Sequence, residues 1–329
     1  MPFEENEISE KSQGGTEAVK RELAKRLPAG LTDDFQIICS RVRKIEEDKI
    51  RVYWLHDLPE DPETNHLREL NSRNRFHKLS FIGNWQYNRY QLVCGMPYEQ
   101  SSVVIETPID PINFEQKSFE KIRLVYTSTP QRGLALLVPV FEKLAEKYKN
   151  IHLDVFSSFK IYGWEDTDKQ FEPLYERIRK HPQMTYHGFV PNDTVREHLK
   201  NSHILAYPSI WLECNSRSVV EAMSAGLLCV HPNYGGLSDT SGGLNFMYQG
   251  DQDPQKHANI FYHALNNAIQ TVSQEQTQNY LKLVKMYADT RFNWSRIVNN
   301  WTDVLLSLKE QYPTVESRRL PQEMFVYQA

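Results

Sequence analysis

The segment 203–239 most constrains how this chain can fold, because it contains a strand, a loop, a helix and a second strand in immediate succession. Apolar runs at 203–207 and 227–231 have the length of strands, and each is followed by a proline. Residues 215–225 between them have helical periodicity. A strand, helix, strand connection of this kind predicts a parallel strand pair in an α/β fold.

The start of this helix is predicted to be an anion-binding site. Asn215 or Ser216 can cap the helix, and the preceding loop lies at the carboxyl end of a strand, where open α/β sheets bind their ligands. Two carboxylates frame the helix start: Glu213 lies in the loop, and Glu221 lies near two helical turns further on. This combination suggests a ligand that carries both phosphate and hydroxyl groups.

The length of 329 residues is sufficient for two domains with separate cores. Hydrophobic residues make up 40% and charged residues 24% of the chain, which is typical of a globular protein. The sequence has neither an 18-residue apolar run nor an apolar segment behind its N-terminus. We therefore expect a cytoplasmic protein with no transmembrane segment.

Charge and cysteine content exclude two further classes. The 38 basic and 42 acidic residues give a net charge of −4 without a basic run, so nucleic acid is not expected as a partner. The four cysteines are widely spaced, without a C-x-x-C motif, and are expected to be reduced thiols that bind no zinc.

The spacing Glu213-x7-Glu221 is followed by AMSAG at 222–226, an apolar strand and Gly235-Gly236. This pattern resembles the family 4 retaining glycosyltransferases, the glycosyl transferases group 1 of the GT-B fold. The resemblance implies an α/β protein of two Rossmann-like lobes with a central cleft and a C-terminal helix that crosses back to the first lobe. It also implies transfer of a hexose from a nucleotide diphosphate sugar, UDP-sugar by default, with no metal or other cofactor.

Three regions follow from the resemblance. Residues 1–112 are expected to form the N-terminal acceptor-side lobe, 113–291 the C-terminal nucleotide-sugar-binding lobe, and 292–329 the crossover helix and tail. The boundary is placed in the proline-punctuated segment 107–114, which resembles the interlobe connection of the family. Because residues 1–12 do not read as a strand, the first strand of the N-terminal lobe is expected to be missing or replaced.

Apolar runs predict the other strands, and periodic patterns predict the helices. The predicted strands are 35–42, 50–55, 79–82, 122–127, 151–156 and 184–187. The main predicted helices are 16–27, 63–72, 84–91, 193–200, 253–271, 276–288 and 293–308, with a further helix that ends near 148.

The resemblance assigns roles to individual residues. Glu213 and His56, which follows the strand 50–55, are the predicted catalytic residues, both placed at the transferred sugar. The predicted donor-binding residues are Gly14, Gly15, Ser128, Arg132, Gly188, Phe189, Val190, Cys214, Asn215, Ser216, Arg217 and Glu221. Of these, 188–190 correspond to the segment that cradles the nucleotide base.

The sequence departs from the family pattern at the phosphate site. The family places two cations after the first strand of the second lobe; Arg132 fits the second, whereas the first falls near Thr127. Cys214-Asn215-Ser216-Arg217 stands where the family tends to have Gly-Phe-Gly-Leu. A D-x-D motif, 166–168, could hold a metal in another glycosyltransferase fold, but no strand precedes it and no metal site is predicted.

Two alternatives remain open at this point. One is a sugar-nucleotide epimerase on the same fold, which would use the same phosphate site without an acceptor. The other is a non-catalytic or degenerate sugar-nucleotide-binding protein, which the missing cation favours and the two glutamates oppose. The acceptor could be a carbohydrate, a lipid-linked sugar or a protein.

Overall fold

The computed structural model of the protein describes residues 15–97 and 101–320. The chain forms two compact units: an N-terminal lobe, Gly15–Pro108 with residues 294–320, and a C-terminal lobe, Ile109–Asn293. Both lobes contain a parallel sheet and helices, which confirms the predicted fold class.

The N-terminal lobe is built on a four-stranded parallel sheet. Its strands, in spatial order, are β1 (Phe35–Cys39), β2 (Ile50–Leu55), β3 (Lys78–Phe81) and β4 (Ser102–Val104). Its first helices are α1 (Gly15–Arg26), α2 (Leu70–Arg73) and α3 (Asn84–Cys94), with a 3₁₀ turn at Pro62–Arg68. Every residue of β1 and β2 is buried, as expected for parallel strands covered on both faces.

Strand β1 ends at Cys39 and is therefore three residues shorter than the predicted strand 35–42. The next residue, Ser40, has a φ of 58°, in the left-handed region that extended strands do not use. Tyr53 stabilises this turn, since its hydroxyl donates to the carbonyl oxygen of Ser40 at 2.8 Å. Serine gives no sequence signal for such a conformation.

The C-terminal lobe has a six-stranded parallel sheet with the order β10-β9-β8-β5-β6-β7. The strands are β5 (Ile122–Thr127), β6 (Ile151–Phe156), β7 (Met184–Tyr186), β8 (Ile204–Ala206), β9 (Leu228–Pro232) and β10 (Phe246–Tyr248). Counted within the lobe, this order is 6-5-4-1-2-3, that of a dinucleotide-binding Rossmann sheet. Its direction of progression reverses between β5 and β8, and this pair of strands forms the switch point.

Seven helices cover the described part of this sheet. They are α4 (Leu134–Lys147), α5 (Glu172–Lys180), α6 (Asn192–Lys200), α7 (Arg217–Ser224), α8 (Leu237–Ser241), α9 (Pro254–Thr271) and α10 (Glu275–Arg291). Asp253 caps α9 as predicted, with its carboxylate accepting from the backbone N–H groups of Gln255 and Lys256. Helix α7 begins after Ser216 and is followed by Gly226, whose φ is 71°.

The last two helices, α11 (Trp294–Gln311) and α12 (Val315–Arg318), belong to the N-terminal lobe. This return confirms the crossover helix expected from the sequence. Trp301 of α11 packs edge-on against Trp54 of β2, with 5.0 Å between ring centroids, and both rings are fully buried. Over the described residues, no helix has both the length and the apolar character that crossing a bilayer requires.

Three buried histidines link the stability of the fold to pH. Burial lowers the pKa of His77, His203 and His231 from 6.5 to about 4. Between these two values the unfolded chain binds protons that the folded chain does not bind. The free energy of unfolding therefore falls as the pH drops through this window and is fully restored above it.

We expect the urea midpoint of unfolding to decrease between pH 7 and pH 4.5. Each of these histidines changes the free energy of unfolding by up to ~1.4 kcal/mol per pH unit within this window. His231→Gln should make the dependence shallower, whereas His263→Gln, a change of an exposed ring, should leave the slope unchanged. Equal slopes for the two variants would contradict this account.

Candidate active site

The candidate site lies at the carboxyl ends of β5 and β8. Ligands of open α/β sheets bind in the crevice at such a switch point. The loop after β5 contains Ser128 and a 3₁₀ turn, Pro130–Arg132, that leads into α4. The loop after β8 runs through 207–216 and leads into α7. The sheet thus brings together two loops that are distant in sequence.

Gly133 sets the distance between these loops. Its φ is 128°, and a Cβ at this position would lie 2.2 Å from the carbonyl oxygen of Pro208. The backbone N–H of Ile210 donates to the carbonyl oxygen of Arg132 at 3.3 Å. Because the backbones of Gly133 and Pro208 are in direct contact, the side chain of Arg132 reaches residues of the loop after β8.

Arg132 and Glu213 form an ion pair at the centre of the site. Arg132 Nη1 lies 2.8 Å from Oε1 and 3.0 Å from Oε2 of Glu213, and the hydroxyl of Tyr207 also donates to Oε1. Glu213 is 5% exposed and Tyr207 is 1% exposed, whereas the Arg132 side chain keeps 24% of its surface. The carboxylate is therefore fixed, and part of the Arg132 side chain remains accessible to solvent.

Electrostatics keep both partners of Glu213 protonated. Burial is the largest single influence and disfavours the guanidinium charge, but Glu213 together with Tyr207 and Tyr162 outweighs it, so the pKa of Arg132 is raised. Burial, and next the negative charge of Glu213, raise the pKa of the Tyr207 phenol. Tyr207 therefore remains a hydrogen-bond donor to Glu213.

The turn at Gly235 and Gly236 supports Glu213 from the other side. The N–H of Gly236 donates to the carbonyl oxygen of Glu213 at 2.6 Å. A Cβ on Gly236 would lie 2.4 Å from the carbonyl oxygen of Cys214, so only glycine permits this approach without a shift of the backbone. The Gly-Gly element noticed in the sequence is thus packed against the loop that carries Glu213.

Several buried polar side-chain atoms around the pair have no hydrogen-bond partner in the described part of the chain. They are Thr127 Oγ1, Thr129 Oγ1, Gln131 Oε1, Arg132 Nε, Ser157 Oγ and Asn215 Oδ1. A buried polar atom without a partner costs about 1–3 kcal/mol. Such atoms at the carboxyl ends of β5 and β6 are suited to a polar ligand.

Glu221 is the second buried carboxylate, at 4% exposure on α7. Its Oε1 accepts from Arg217 Nε at 3.1 Å and from Arg196 Nη1 at 3.4 Å, and its Oε2 accepts from Asn192 Nδ2 at 3.3 Å. Arg196 is itself held by the carbonyl oxygen of Asp110, 2.7 Å from Nη2. Two guanidinium groups therefore share one carboxylate.

The predicted base-cradling segment follows β7 as a fixed turn. Gly188 has a φ of 64°, and its carbonyl oxygen accepts from the N–H of Ser157 at 3.1 Å. His187 lies 2.8 Å from Asp154 and stacks on Phe156 with 4.2 Å between ring centroids. Phe189 and Val190 are half-buried. This turn therefore presents backbone groups at the carboxyl end of β6 and β7.

Three large apolar side chains remain exposed beside the ion pair. Ile210, Trp211 and Tyr234 keep 51%, 45% and 42% of their surface. The indole of Trp211 lies 5.9 Å from the guanidinium carbon of Arg132. Flat apolar surface next to a few convergent polar groups is typical of small-ligand sites and fits the C–H face of a sugar ring.

The structure places most predicted site residues along this edge of the C-terminal lobe. They are Ser128, Arg132, Gly188, Phe189, Val190, Cys214, Asn215, Ser216, Arg217, Glu213 and Glu221. Gly15 is the first residue of α1 in the N-terminal lobe, whereas Gly14 lies outside the described residues.

His56 directly follows β2 in the N-terminal lobe. Its ring packs on Trp54, with 4.6 Å between centroids, and its Nε2 is buried without a hydrogen-bond partner among the described residues. Burial, assisted by the positive charge of Lys20, lowers the pKa of His56 to about 3. The imidazole is therefore neutral at pH 7 and can serve as a hydrogen-bond group but not as a cation.

The D-x-D motif has a structural explanation. Asp168 accepts hydrogen bonds from Ser158 Oγ, the N–H of Phe159 and the Tyr175 hydroxyl at 2.5, 2.9 and 2.8 Å. Asp166 is exposed and pairs with Lys169 at 2.7 Å. Asp168 thus anchors the segment after β6.

Within residues 15–97 and 101–320, no group of three or more His, Cys, Asp or Glu side chains could hold a metal ion.

Comparison with known proteins identifies the class of this site. Residues 109–250 match the family described as glycosyl transferases group 1. The C-terminal lobe is thus a glycosyl transferases group 1 domain, and the resemblance predicted from the sequence is confirmed there. A search of curated protein sequences gave no significant match.

Solved structures show the fold of the chain. A glycosyltransferase from Rickettsia africae aligns over 92% of this chain and 84% of its own, with a TM-score of 0.66 at 11% identity. Anabaena HepE in complex with UDP-glucose aligns over 88% and 82%, with a TM-score of 0.61 at 18% identity. Sucrose-phosphate synthase from Thermosynechococcus elongatus aligns over 80% and 68%, with a TM-score of 0.64 at 12% identity. The chain therefore has the GT-B fold.

Sequence reasoning missed three partners of the glutamates. Tyr207 stands at the end of the first apolar run, where a polar tip on a strand end could have indicated a site residue. Asn192 and Arg196 lie on α6, far from Glu221 in sequence, and no local pattern connects them. Only the packing of α6 beside α7 reveals these contacts.

The close approach at Gly133 predicts a steric effect on stability. We expect Gly133→Ala to lower the free energy of unfolding by clearly more than Gly243→Ala, as measured by urea denaturation. Both glycines have positive φ, 128° and 75°, but a Cβ on Gly243 meets nothing within 4 Å. Gly243→Ala should therefore show only the conformational cost of ~1–2 kcal/mol. Equal losses in the two variants would refute the backbone contact.

The D-x-D geometry predicts that its two acids are not equivalent. Asp168→Ala should destabilise the protein by about 2 kcal/mol or more, because it leaves buried donors of the segment without their acceptor. Asp166→Ala, which removes an exposed charge, should change the urea midpoint little. A stable Asp168→Ala protein would contradict the anchoring role.

Proposed function

We propose that this protein is a retaining glycosyltransferase that moves a hexose from a nucleotide diphosphate sugar to an acceptor hydroxyl. The observation that carries the proposal is the Arg132–Glu213 pair at the switch point of a Rossmann-like lobe. It places a cation suited to a diphosphate and a carboxylate suited to sugar hydroxyls beside the start of α7. We take uridine diphosphate as the donor nucleotide, in keeping with the UDP-glucose bound by HepE.

In this reaction the bond between the anomeric carbon and the diphosphate oxygen breaks, and negative charge develops on the diphosphate. The Arg132 guanidinium and the N–H groups at the start of α7 stabilise that charge. Glu213 accepts hydrogen bonds from hexose hydroxyls and fixes the ring. The leaving phosphate takes the proton of the acceptor hydroxyl as the new bond forms on the same face, so no side-chain base near neutral pKa is needed.

The nucleotide half of the donor is assigned to the other carboxylate. Glu221 accepts from the paired ribose hydroxyls, and the turn 188–190 supports the base through its backbone. The proposed reaction uses no metal ion. His56, neutral at pH 7, is proposed as a hydrogen-bond partner of the substrate, not as an acid.

A second candidate is a non-catalytic sugar-nucleotide-binding protein. One observation favours it: Arg132 is paired one to one with Glu213, so this pair presents no net positive charge to a diphosphate. Such a protein would bind the nucleotide diphosphate and leave a donor sugar intact.

The first experiment measures nucleotide release from UDP-glucose, UDP-galactose and the corresponding GDP sugars in a buffer with a chelator. The transferase hypothesis requires donor turnover that depends on an acceptor or, more slowly, on water. Binding of the free diphosphate, seen as an increase in the melting temperature, without any turnover would support the non-catalytic candidate.

The two glutamates should respond differently to substitution. Glu213→Gln should lower kcat by roughly 100-fold or more with little change in the Kd of the nucleotide diphosphate, because Glu213 acts on the transferred sugar. Glu221→Gln should weaken binding of the free diphosphate by roughly 1 to 3 kcal/mol, since it removes a charged acceptor. Calorimetric titration and turnover assays test both statements.

Glu142→Gln is the matched control, because Glu142 also pairs with an arginine, Arg177, but lies on the outer face of α4. It should leave turnover and diphosphate affinity unchanged. Normal turnover in Glu213→Gln would remove that residue from the catalytic site and favour the non-catalytic binder.

A further inference from the structure

The charges around the two buried carboxylates are not balanced. Glu213 is matched by one guanidinium, that of Arg132, whereas Glu221 is shared by Arg196 and Arg217. The cluster at Glu221 therefore carries a surplus of one positive charge. A buried or half-buried surplus charge is costly unless something compensates it, and an anionic ligand is a natural partner.

The two arginines at Glu221 are held differently. Arg196 donates through Nη2 to backbone carbonyl oxygens of Asp110 at 2.7 Å and Pro111 at 3.4 Å, and its side chain is 16% exposed. Among the described residues, Arg217 donates only to side chains: to Glu221 through Nε and to Asn192 through Nη2, each at 3.1 Å. Its side chain is 27% exposed. Arg217 is thus the guanidinium that can turn without disturbing the backbone.

The position of Arg217 connects it to the other cation of the site. Arg217 is the first residue of α7, an eight-residue helix, and the hydroxyl of the adjacent Ser218 donates to the carbonyl oxygen of Thr127 at 2.5 Å. Thr127 is the end of β5, where the sequence lacks the first of two expected phosphate cations. Within the described ranges, neither its own Oγ1, which is buried, nor the buried Oδ1 of Asn215 in the loop before α7 has a hydrogen-bond partner. The helix start that carries Arg217 is therefore hydrogen-bonded directly to the end of β5, whose following loop carries Arg132.

We propose that Arg217 is the second cation for the donor diphosphate, and that it turns from Glu221 to the phosphates when the donor binds. This inference rests on the proposed function, since it assumes a nucleotide diphosphate ligand. In the free protein Oε1 of Glu221 accepts from both guanidiniums, which occupy its two lone-pair directions. When Arg217 leaves, that oxygen gains an acceptor site for a ribose hydroxyl.

The rearrangement couples recognition of the phosphates to recognition of the ribose. A nucleoside without phosphates gives Arg217 no new partner, so Glu221 stays shared and the ribose is bound weakly. A diphosphate moves Arg217 and releases the carboxylate at the same time. One side chain thereby makes the site selective for ligands that contain both parts.

The test compares uridine, UMP and UDP by calorimetric titration of wild type, Arg217→Leu and Arg217→Lys, with ADP and GDP as further probes of the base. For Arg217→Leu we expect a loss of tenfold or more in UDP affinity and a gain in uridine affinity, because Oε1 of Glu221 no longer accepts from Arg217 and can accept from the ribose. Arg217→Lys should retain most of the UDP affinity. The dependence of UDP affinity on salt should become shallower in Arg217→Leu, because one charge contact is lost.

Arg179→Leu is the matched control, since Arg179 is also a helix arginine held by carboxylates, those of Glu172 and Glu176, but lies on the exposed face of α5. It should bind all three ligands as wild type does. Equal losses for uridine and UDP in Arg217→Leu would show that Arg217 only positions Glu221, and unchanged UDP affinity would exclude any role; either result overturns the inference. Failure of the proposed function appears differently, as wild type that binds none of UDP, ADP and GDP.

Discussion

The buried ion pair between Arg132 and Glu213 is the interaction on which the site depends. Taking two charges out of water is costly, and the cost is offset only when geometry is good and the remaining hydrogen-bonding positions are used. Tyr207 supplies such a bond to Glu213, and close backbone contacts at Gly133 and Gly236 hold both loops in place. Loss of either charged partner would leave the other buried and unpaired, so fold stability and site geometry are joined here.

Glu213 and Glu221 are both buried carboxylates, but their different surroundings suit them to different roles. Glu213 is fixed by one cation and one phenol in the loop after β8. Glu221 is surrounded by two guanidiniums and an amide. The environment of Glu213 is suited to a rigid contact with an uncharged ring. The environment of Glu221 is suited to a carboxylate that exchanges hydrogen-bond partners when a ligand binds.

The sequence predicted much of this arrangement, for identifiable reasons. Strands β2, β5 and β6 agree with their predicted bounds, because most of their residues are apolar and buried in a parallel sheet. The spacing of Glu213 and Glu221 is set by one loop and the helix that follows it, so it could be predicted from the local sequence. Short elements such as α8 and β10 were missed, since five or three residues give no period. The contacts of Tyr207 and Arg196 were also missed, because they arise from packing between distant segments.

The strand order has a consequence for how the lobe acquires its site. Arg132 and Glu213 are separated by 81 positions. The strands that precede their loops, β5 and β8, are neighbours in the sheet, whereas the two strands between them in sequence, β6 and β7, lie on the other side of β5. Closing so long a segment comes late in folding, because its entropy cost precedes any reward from contacts. A nascent chain that ends before β8 has the cation without its carboxylate. We therefore expect the proposed nucleotide binding only in a lobe in which both halves of the sheet have joined.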